Sequence, residues 1–143
     1  MKIALGSDHA GVELKEQIKG LLKELNIAYE DFGPYSNDSV DYPDFGHKVA
    51  QAIDSDEFTY GIVICGSGNG INMTVNKYSY VRAALSWTKE IAELARLHNN
   101  ANILTLPARF ISIEDGLEIV KVFLITDFEG GRHEKRVNKI AIK

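Results

Sequence analysis

The feature of this sequence that most constrains its fold is the alternation of short apolar runs with amphipathic stretches along the whole chain. Residues 61–64 are continuously apolar, which is typical of a strand covered on both faces. Residues 11–25 instead repeat apolar side chains at helical spacing. Because such strands and helices alternate throughout, the pattern predicts a parallel sheet with helices on both faces, a three-layer α/β/α sandwich.

The same pattern predicts where each element lies. Strands are predicted at residues 2–5, 28–32, 61–64, 81–85 and 103–106, and helices at residues 11–25, 44–55, 71–77, 88–98 and 113–126. A loop rich in Gly, Pro, Ser, Asn and Asp occupies residues 33–43, and a basic tail closes the chain at residues 130–143. Residues 1–143 are expected to form one domain, with ligands bound beyond the carboxyl ends of its strands.

Composition excludes several classes of function. The chain has 143 residues and a net charge of −4, which argues against a general binder of nucleic acid or of a membrane surface. Any anionic ligand must therefore be held by a local group of cations. No apolar run is long enough to span a bilayer, and the first residues resemble a strand more than a signal peptide. The single cysteine allows no internal disulfide, so a cytoplasmic location is expected.

A glycine-rich loop, Cys65-Gly66-Ser67-Gly68-Asn69-Gly70, directly follows the third predicted strand. Glycines at alternate positions let the backbone approach a ligand and turn successive N–H groups toward it. A helix beginning near Ile71 would add the positive end of its dipole, which favours an anion. The spacing matches neither a dinucleotide-binding fingerprint nor a P-loop, a phosphatase loop or a nucleophile elbow. Those four functions are excluded for this loop.

Cys65 is the only cysteine and begins that loop. A lone cysteine is usually a small, buried, apolar residue. Its position at a strand end, beside flexible N–H donors, favours a reactive thiol instead. The residues alone leave both interpretations open.

Two polar pairs lie next to predicted elements. Asp8 and His9 follow the first strand, where Asp8 is suited to cap the next helix and His9 adds a cation or a proton carrier. His98 and Asn99 end a helix, and the simpler interpretation there is a polar terminus capped by Asn99 or Asn100. Each pair is therefore either structural or part of a site.

The tail holds the one concentration of positive charge in this acidic protein. Arg132 and Arg136 would share one helix face, with His133, Lys135 and Lys139 nearby. An exposed basic helix is the default interpretation, and a phosphate clamp is the alternative because guanidinium groups bind phosphate well. No group of His, Cys and carboxylate residues has metal-ligand spacing, so no metal site is expected.

Six motifs, in order and at matching intervals, make the sequence resemble the type B ribose-5-phosphate isomerase family, which includes galactose-6-phosphate and allose-6-phosphate isomerases. The motifs are Gly6-Ser7-Asp8-His9-Ala10-Gly11, Asp38-Ser39-Val40-Asp41-Tyr42-Pro43-Asp44-Phe45, Cys65-Gly66-Ser67-Gly68-Asn69-Gly70, Arg82-Ala83-Ala84, His98-Asn99-Asn100-Ala101-Asn102 and Phe128-Glu129-Gly130-Gly131-Arg132-His133. Each motif alone has low specificity, but together the motifs span nearly the whole chain and are specific for this family.

The resemblance implies a Rossmann-like sandwich with a five-stranded parallel sheet and a cofactor-free isomerase of the pentose phosphate pathway. Its reaction would interconvert ribose 5-phosphate and ribulose 5-phosphate through an enediolate. The resemblance also implies a homodimer or a tetramer in which two subunits build each active site. An allose-6-phosphate or galactose-6-phosphate isomerase with a larger pocket is the alternative activity. A non-catalytic phosphosugar-binding subunit is a further alternative, disfavoured because Cys65, Ser67 and His98 are all present.

The resemblance assigns a role to individual residues. Cys65 is implied as the base that moves a proton between C1 and C2, and His98, assisted by Asp8, as the group that opens the sugar ring. The enediolate would be bound by Ser67 and by the N–H groups of Gly66, Gly68, Asn69 and Gly70. The sugar would be contacted by Tyr42 and Asn99, and the phosphate by His9, Arg109, Arg132 and Arg136. The loop departs from the usual family form at Asn69, where an apolar residue is common, and Trp87 is a second departure.

Overall fold

The computed structural model describes residues 1–142 and confirms the predicted α/β architecture. The strands are β1 Lys2–Ser7, β2 Ala28–Asp31, β3 Tyr60–Cys65, β4 Ala83–Leu85 and β5 Ile103–Pro107. The helices are α1 Val12–Glu24, α2 Tyr42–Asp54, α3 Asn69–Val75, α4 Lys89–Asn99, α5 Ile113–Ile125 and α6 Arg132–Val137, with a 3-10 turn at His9–Gly11. All five strands are parallel and form one sheet in the order β2-β1-β3-β5-β4. None of the helices in residues 1–142 is long and apolar enough to cross a bilayer.

Two hydrophobic cores lie on the two faces of the sheet. Helices α1, α4 and α5 cover one face, where Ile18 and Phe123 belong to the same core as Ile62. Helices α2 and α3 cover the other face, where Val49 belongs to the same core as Val63. Consecutive side chains of a strand point to opposite faces, so Ile62 and Val63 fill different cores. This explains why β3 is apolar at every position.

The strand order creates a crevice between β1 and β3. The chain leaves β1 for β2 on one side of the sheet, whereas it leaves β3 for β4 and β5 on the other side. Such a switch point separates the loops at the carboxyl ends of the two strands and is where ligands bind in open α/β sheets. The backbone N–H of Asp8 donates to the carbonyl of Ile64 at 3.0 Å. Asp8 and Cys65 therefore lie side by side at the mouth of the crevice.

Several element boundaries differ from the predicted ones. Helix α2 begins at Tyr42 rather than at residue 44, because the first turn of a helix accepts Pro43. Helix α3 begins at Asn69, inside the glycine-rich loop, rather than at residue 71. Strands β1 and β3 extend to Ser7 and Cys65, because their backbone pairing with neighbouring strands continues to those residues.

A buried ion pair ties α1 to the loop after β2. The Lys15 Nζ atom donates to Asp31 Oδ1 at 2.7 Å and also to the carbonyl of Pro34. Burial lowers the pKa of Lys15, and the bond to Asp31 offsets only part of that effect. Burial alone would raise the pKa of Asp31, but hydrogen bonds from Lys15, from the Gly33 N–H and from Lys19 hold that pKa below its ordinary value. Asp31 is therefore the counter-charge that makes burial of Lys15 tolerable.

Replacing Asp31 with asparagine should lower the free energy of unfolding by about 3–5 kcal/mol, because Lys15 then stays buried without a counter-charge. Chemical denaturation at a fixed protein concentration measures the change. The exposed neighbour Glu30, replaced by glutamine, is the control and should shift it by no more than about 0.5 kcal/mol. The folded-state pKa of Asp31 is depressed, so its stabilisation is complete above about pH 4 and is lost as the pH falls. The difference should therefore shrink in acid, and a loss below about 1 kcal/mol at neutral pH would contradict this role.

Candidate active site

Cys65 lies at the carboxyl end of β3, where the sequence predicts it. Only 5% of the residue is exposed, and its side chain belongs to the core under α2 and α3. Its carbonyl accepts a hydrogen bond from the N–H of Ala108 at 2.9 Å, just beyond β5. Burial alone fits an inert thiol as well as a reactive one. Whether the thiol is reactive therefore depends on the groups that surround its sulfur atom.

Two side chains pack against the glycine-rich loop that follows β3. A Cβ atom at Gly70 would overlap the ring of Tyr42, which comes from the first turn of α2. A Cβ atom at Gly66 would lie 3.2 Å from Nη1 of Arg109, which follows β5. Glycine at both positions thus allows an aromatic hydroxyl and a guanidinium group to lie directly over the loop backbone.

The loop also has N–H groups that are free to bind a ligand. Gly68 has a φ of +80°, in the left-handed region that favours glycine. Within residues 1–142 the N–H groups of Ser67 and Gly68 donate to no protein atom, whereas the Asn69 N–H donates to the Ser67 hydroxyl at 3.2 Å. Free N–H groups next to a strand-end thiol are the arrangement that stabilises an oxyanion.

Asp8 and His9 follow β1, beside the end of β3. Asp8 is 8% exposed, and its Oδ1 accepts the Ala10 N–H at 2.9 Å, so it caps the 3-10 turn that precedes α1 rather than α1 itself, whose N-cap is Gly11. The Nδ1 atom of His9 accepts the Val40 N–H at 3.2 Å, so the neutral ring carries its proton on Nε2. His9 therefore offers an N–H donor toward an anionic ligand.

His98 and Asn99 lie near the amino ends of the strands, opposite the end where Cys65 lies. They end α4, which Asn100 caps in the left-handed conformation, and the chain then enters the amino end of β5. Cys65 instead pairs with Pro107 at the carboxyl end of β5. The 5 residues of β5 span about 13 Å. One chain therefore does not bring His98 and Asn99 to Cys65.

A stacked pair of histidines joins α4 to α6. The rings of His98 and His133 lie 4.2 Å apart and 12° from parallel, and the Glu129 N–H donates to the carbonyl of Leu97 at 3.1 Å. Burial lowers the pKa of His133, and the neighbouring His98 lowers it further. Sequence reasoning missed this contact because the two histidines are far apart along the chain.

The predicted basic helix is present as α6. Arg132 and Arg136 are exposed, lie one turn apart, and pair with no carboxylate within residues 1–142. Lys135 and Lys139 line the same groove, so it is wholly cationic apart from its glycine. Lys143, the last residue of the predicted tail, lies outside the described residues. Unpaired guanidinium groups at this spacing are suited to a phosphate.

The structure thus divides the predicted site residues into two groups. The carboxyl-end group consists of Asp8, His9, Tyr42, the loop Cys65-Gly66-Ser67-Gly68-Asn69-Gly70, and Arg109. The amino-end group consists of His98, Asn99, Arg132 and Arg136. The first supplies a thiol and oxyanion donors, and the second supplies an imidazole and unpaired guanidinium groups. Each group therefore holds only part of a complete set of acid–base and anion-binding residues.

Known proteins resemble this chain over nearly its whole length. The family model described as ribose/galactose isomerase matches residues 3–140. Ribose-5-phosphate isomerase B of Escherichia coli is 39% identical over 97% of this chain and 93% of its own. The structure of Clostridium thermocellum ribose-5-phosphate isomerase B has a TM-score of 0.96 at 48% identity, covering 98% of this chain and 95% of that one. The Mycoplasma genitalium ribose-5-phosphate isomerase B with bound ribulose-5-phosphate has a TM-score of 0.93 at 42% identity, covering 97% and 93%.

Proposed function

The chain belongs to the ribose/galactose isomerase family, and on that premise we propose that it is an aldose–ketose isomerase that interconverts ribose 5-phosphate and ribulose 5-phosphate. The observation that carries the proposal is the likeness, over 97% of the chain, to a Mycoplasma genitalium enzyme whose structure holds ribulose-5-phosphate. The E. coli relative, also a ribose-5-phosphate isomerase B, supports the same substrate. A strand-end thiol, free N–H groups and unpaired guanidinium groups fit the base, oxyanion donors and phosphate contacts that this reaction needs.

The separation of the two residue groups supports an active site shared by two subunits. Cys65 lies at the carboxyl ends of the strands and His98 near their amino ends, so the length of β5, about 13 Å, separates the two residues. A single chain therefore does not place both groups of residues around one small sugar phosphate. In a two-fold symmetric homodimer, the amino-end group of each subunit meets the carboxyl-end group of the other, which completes two sites. A tetramer of two such dimers would keep the same sites.

Phosphate binding in this arrangement draws on both subunits. The partner subunit's Arg132 and the partner subunit's Arg136 lie one turn apart and pair with no carboxylate among residues 1–142, so both can make charge-assisted hydrogen bonds to a phosphate. Arg109 and His9 approach from the carboxyl-end group. The phosphate does not react, so its binding energy serves to position the sugar.

Ring opening comes first in the proposed reaction. A proton must reach the ring oxygen and another must leave the C1 hydroxyl as the C1–O bond breaks and C1 becomes an aldehyde. The partner subunit's His98, assisted by Asp8, moves these protons, since imidazole exchanges protons near neutral pH. Tyr42 and the partner subunit's Asn99 orient the sugar hydroxyls during this step.

Cys65 then transfers a proton from C2 to C1 of the open sugar. The thiolate takes the proton from C2, the electron pair of the C2–H bond forms a C1=C2 double bond, and the C1 oxygen becomes the enediolate anion. The N–H groups of Ser67 and Gly68 stabilise that anion, and one such donor is typically worth about 3 kcal/mol. The O2 proton moves to O1 and the thiol returns its proton to C1, which leaves the carbonyl at C2. Every atom and electron of the sugar is conserved.

Turnover assays of the purified protein test this function. We expect isomerisation of ribose 5-phosphate, much slower turnover of allose 6-phosphate and galactose 6-phosphate, and none of unphosphorylated ribose at the same concentration. Faster turnover of a hexose phosphate would assign the hexose-phosphate activity instead. Binding of these sugar phosphates without turnover would contradict an enzyme and favour a non-catalytic phosphosugar-binding subunit.

Replacing Arg132 or Arg136 with alanine should raise KM for ribose 5-phosphate about 10- to 100-fold and change kcat little. The reason is that the phosphate contact exists in both the bound substrate and the transition state. Steady-state kinetics separates the two constants. Lys121→Ala removes an exposed cation from α5, away from the site, and is the matched control. A lower kcat at unchanged KM would show that these arginines do not act as phosphate ligands.

A further inference from the structure

The ring of His98 is supported by a neighbouring ring rather than by hydrogen bonds. His98 lies in the last turn of α4, its side chain is partly exposed, and among residues 1–142 its ring makes no hydrogen bond. Its Nε2 atom lies 4.0 Å from the Glu129 carboxylate, beyond hydrogen-bond range. The ring of His133 instead covers one face of the His98 ring, 4.2 Å away and 12° from parallel. We propose that His133 is a positioning residue that fixes the plane of the His98 imidazole for ring opening.

The supporting ring of His133 is itself held in place. The residue is only 6% exposed, and its N–H donates to the carbonyl of Gly130 at 3.1 Å. The Glu129 N–H donates to the carbonyl of Leu97, the residue before His98, at 3.1 Å. The segment that carries the supporting ring is therefore bonded to α4 beside the ring that it supports. Because protein interiors are close-packed, a buried ring on such a segment has little room to tilt.

Two glycines turn the chain so that His133 reaches His98. Gly130 has a φ of +69° and Gly131 a φ of +55°, both in the left-handed region that favours glycine. A Cβ atom at either position would meet no other atom within 4 Å, so the backbone conformation, and not a lack of space, calls for glycine there. The turn brings the start of α6 against the end of α4, where the two rings stack.

His133 offers His98 a flat, neutral surface. Burial lowers the pKa of His133, and the neighbouring His98 lowers it further, so the His133 ring stays neutral at neutral pH. Two protonated rings 4.2 Å apart would repel each other, whereas a neutral His133 lets His98 take up a proton. In the described part of the chain the Nε2 atom of His133 has no hydrogen-bond partner, and the Glu129 carboxylate lies 3.8 Å from it. His133 therefore contributes the face of its ring and not a hydrogen bond.

A fixed ring plane matters for ring opening. This consequence rests on the proposed function, in which His98 moves protons at the sugar ring. Proton transfer needs the imidazole nitrogen within hydrogen-bond reach of the sugar oxygen and directed at it. A His98 ring that turns out of the stack loses this alignment, and a misplacement of about 1 Å can cost about 100-fold in rate. The later proton transfer by Cys65 does not use this ring, so loss of His133 should affect ring opening alone.

Steady-state kinetics of three variants tests the proposal. His133→Ala removes the supporting ring and should lower kcat for ribose 5-phosphate about 100-fold at an unchanged KM, since Arg132 and Arg136 remain on α6. His133→Phe keeps a flat ring for stacking and should restore nearly the wild-type kcat. Glu134→Ala removes an exposed side chain from the next residue of α6 and is the matched control. Wild-type kcat in His133→Ala, an equal loss in His133→Phe, or a raised KM in place of a lowered kcat would overturn the proposal.

Hydrogen exchange isolates the step that His133 affects. Ribulose 5-phosphate has no free C5 hydroxyl and stays open-chain, so its C1 hydrogen exchanges with D2O through Cys65 and the enediolate without ring opening. His133→Ala should exchange this hydrogen as fast as the wild type, as followed by NMR, although it converts ribose 5-phosphate slowly. Exchange slowed about 100-fold as well would overturn a role in ring opening.

The stack also has a readout that is independent of turnover. An aromatic ring shifts the NMR signals of protons above its face upfield, so the ring protons of His98 should be shifted in the wild type and in His133→Phe but not in His133→Ala. Absence of the shift from the wild type would overturn the positioning contact. The expected shifts in a wild type that isomerises no sugar phosphate would support the contact and refute the proposed function.

Discussion

Replacing Cys65 with alanine should lower kcat for ribose 5-phosphate by about 10,000-fold, the upper end of what a positioned general base contributes. No other thiol exists in the chain to take over the proton. The free N–H groups of Ser67 and Gly68 and the phosphate cations remain, so the affinity for ribulose 5-phosphate should change little. A large loss in kcat with intact binding is the pattern expected when only the chemical step is affected.

Steady-state kinetics gives kcat for the Cys65→Ala enzyme, and calorimetry with ribulose 5-phosphate gives its affinity. Val63→Ala is the matched control, because Val63 lies two residues earlier on β3 and packs in the same core. This control should lose about 2 kcal/mol of stability and keep nearly normal kcat. If Cys65→Ala kept kcat within about tenfold of the wild type, another group would have to be the base. The thiol would then be the buried apolar residue that the sequence alone also allows.

The sheet is predictable from the sequence because its strands are short and covered on both faces. Ile62 and Val63 fill opposite cores, so β3 must be apolar at every position, and no helix pattern of that length competes with it. Element ends are less predictable. Helix α2 begins within a segment of loop-like composition, at Tyr42, because the first turn of a helix accepts proline and needs no intrahelical N–H donor.

The element on which each candidate site residue lies is predictable from the sequence, but the grouping of these residues in space is not. Cys65 and the glycine-rich loop are consecutive, so one strand end places them together. His98 and His133 meet only because the segment after α5 folds back on α4, a tertiary contact that no local pattern encodes. The contact of Arg109 with Gly66 likewise depends on β3 and β5 being neighbours in the sheet. The division of the site into two groups therefore emerges only from the topology.

A shared active site predicts that two inactive chains restore activity when they pair. Cys65→Ala and His98→Ala chains should each be about 100- to 10,000-fold impaired alone, since each lacks a positioned acid or base. In their heterodimer, one site lacks both groups and the other keeps both. The heterodimer should therefore show about half the kcat of the wild-type dimer.

A control pair separates this effect from nonspecific rescue. Cys65→Ala and Asp8→Asn both alter the carboxyl-end group, so each site of their heterodimer carries one of the two defects. That heterodimer should have about the mean activity of its two parents, and so be no more active than the more active parent. Two different affinity tags, one on each chain, allow heterodimers to be purified away from both homodimers.

The decisive measurement is kcat of the tandem-purified Cys65→Ala and His98→Ala heterodimer, beside its two parents and the control pair. An active site completed across two subunits predicts about half of the wild-type value for this heterodimer and no recovery for the control pair. Activity no higher than that of the parents would contradict a site in which Cys65 of one subunit works with the partner subunit's His98.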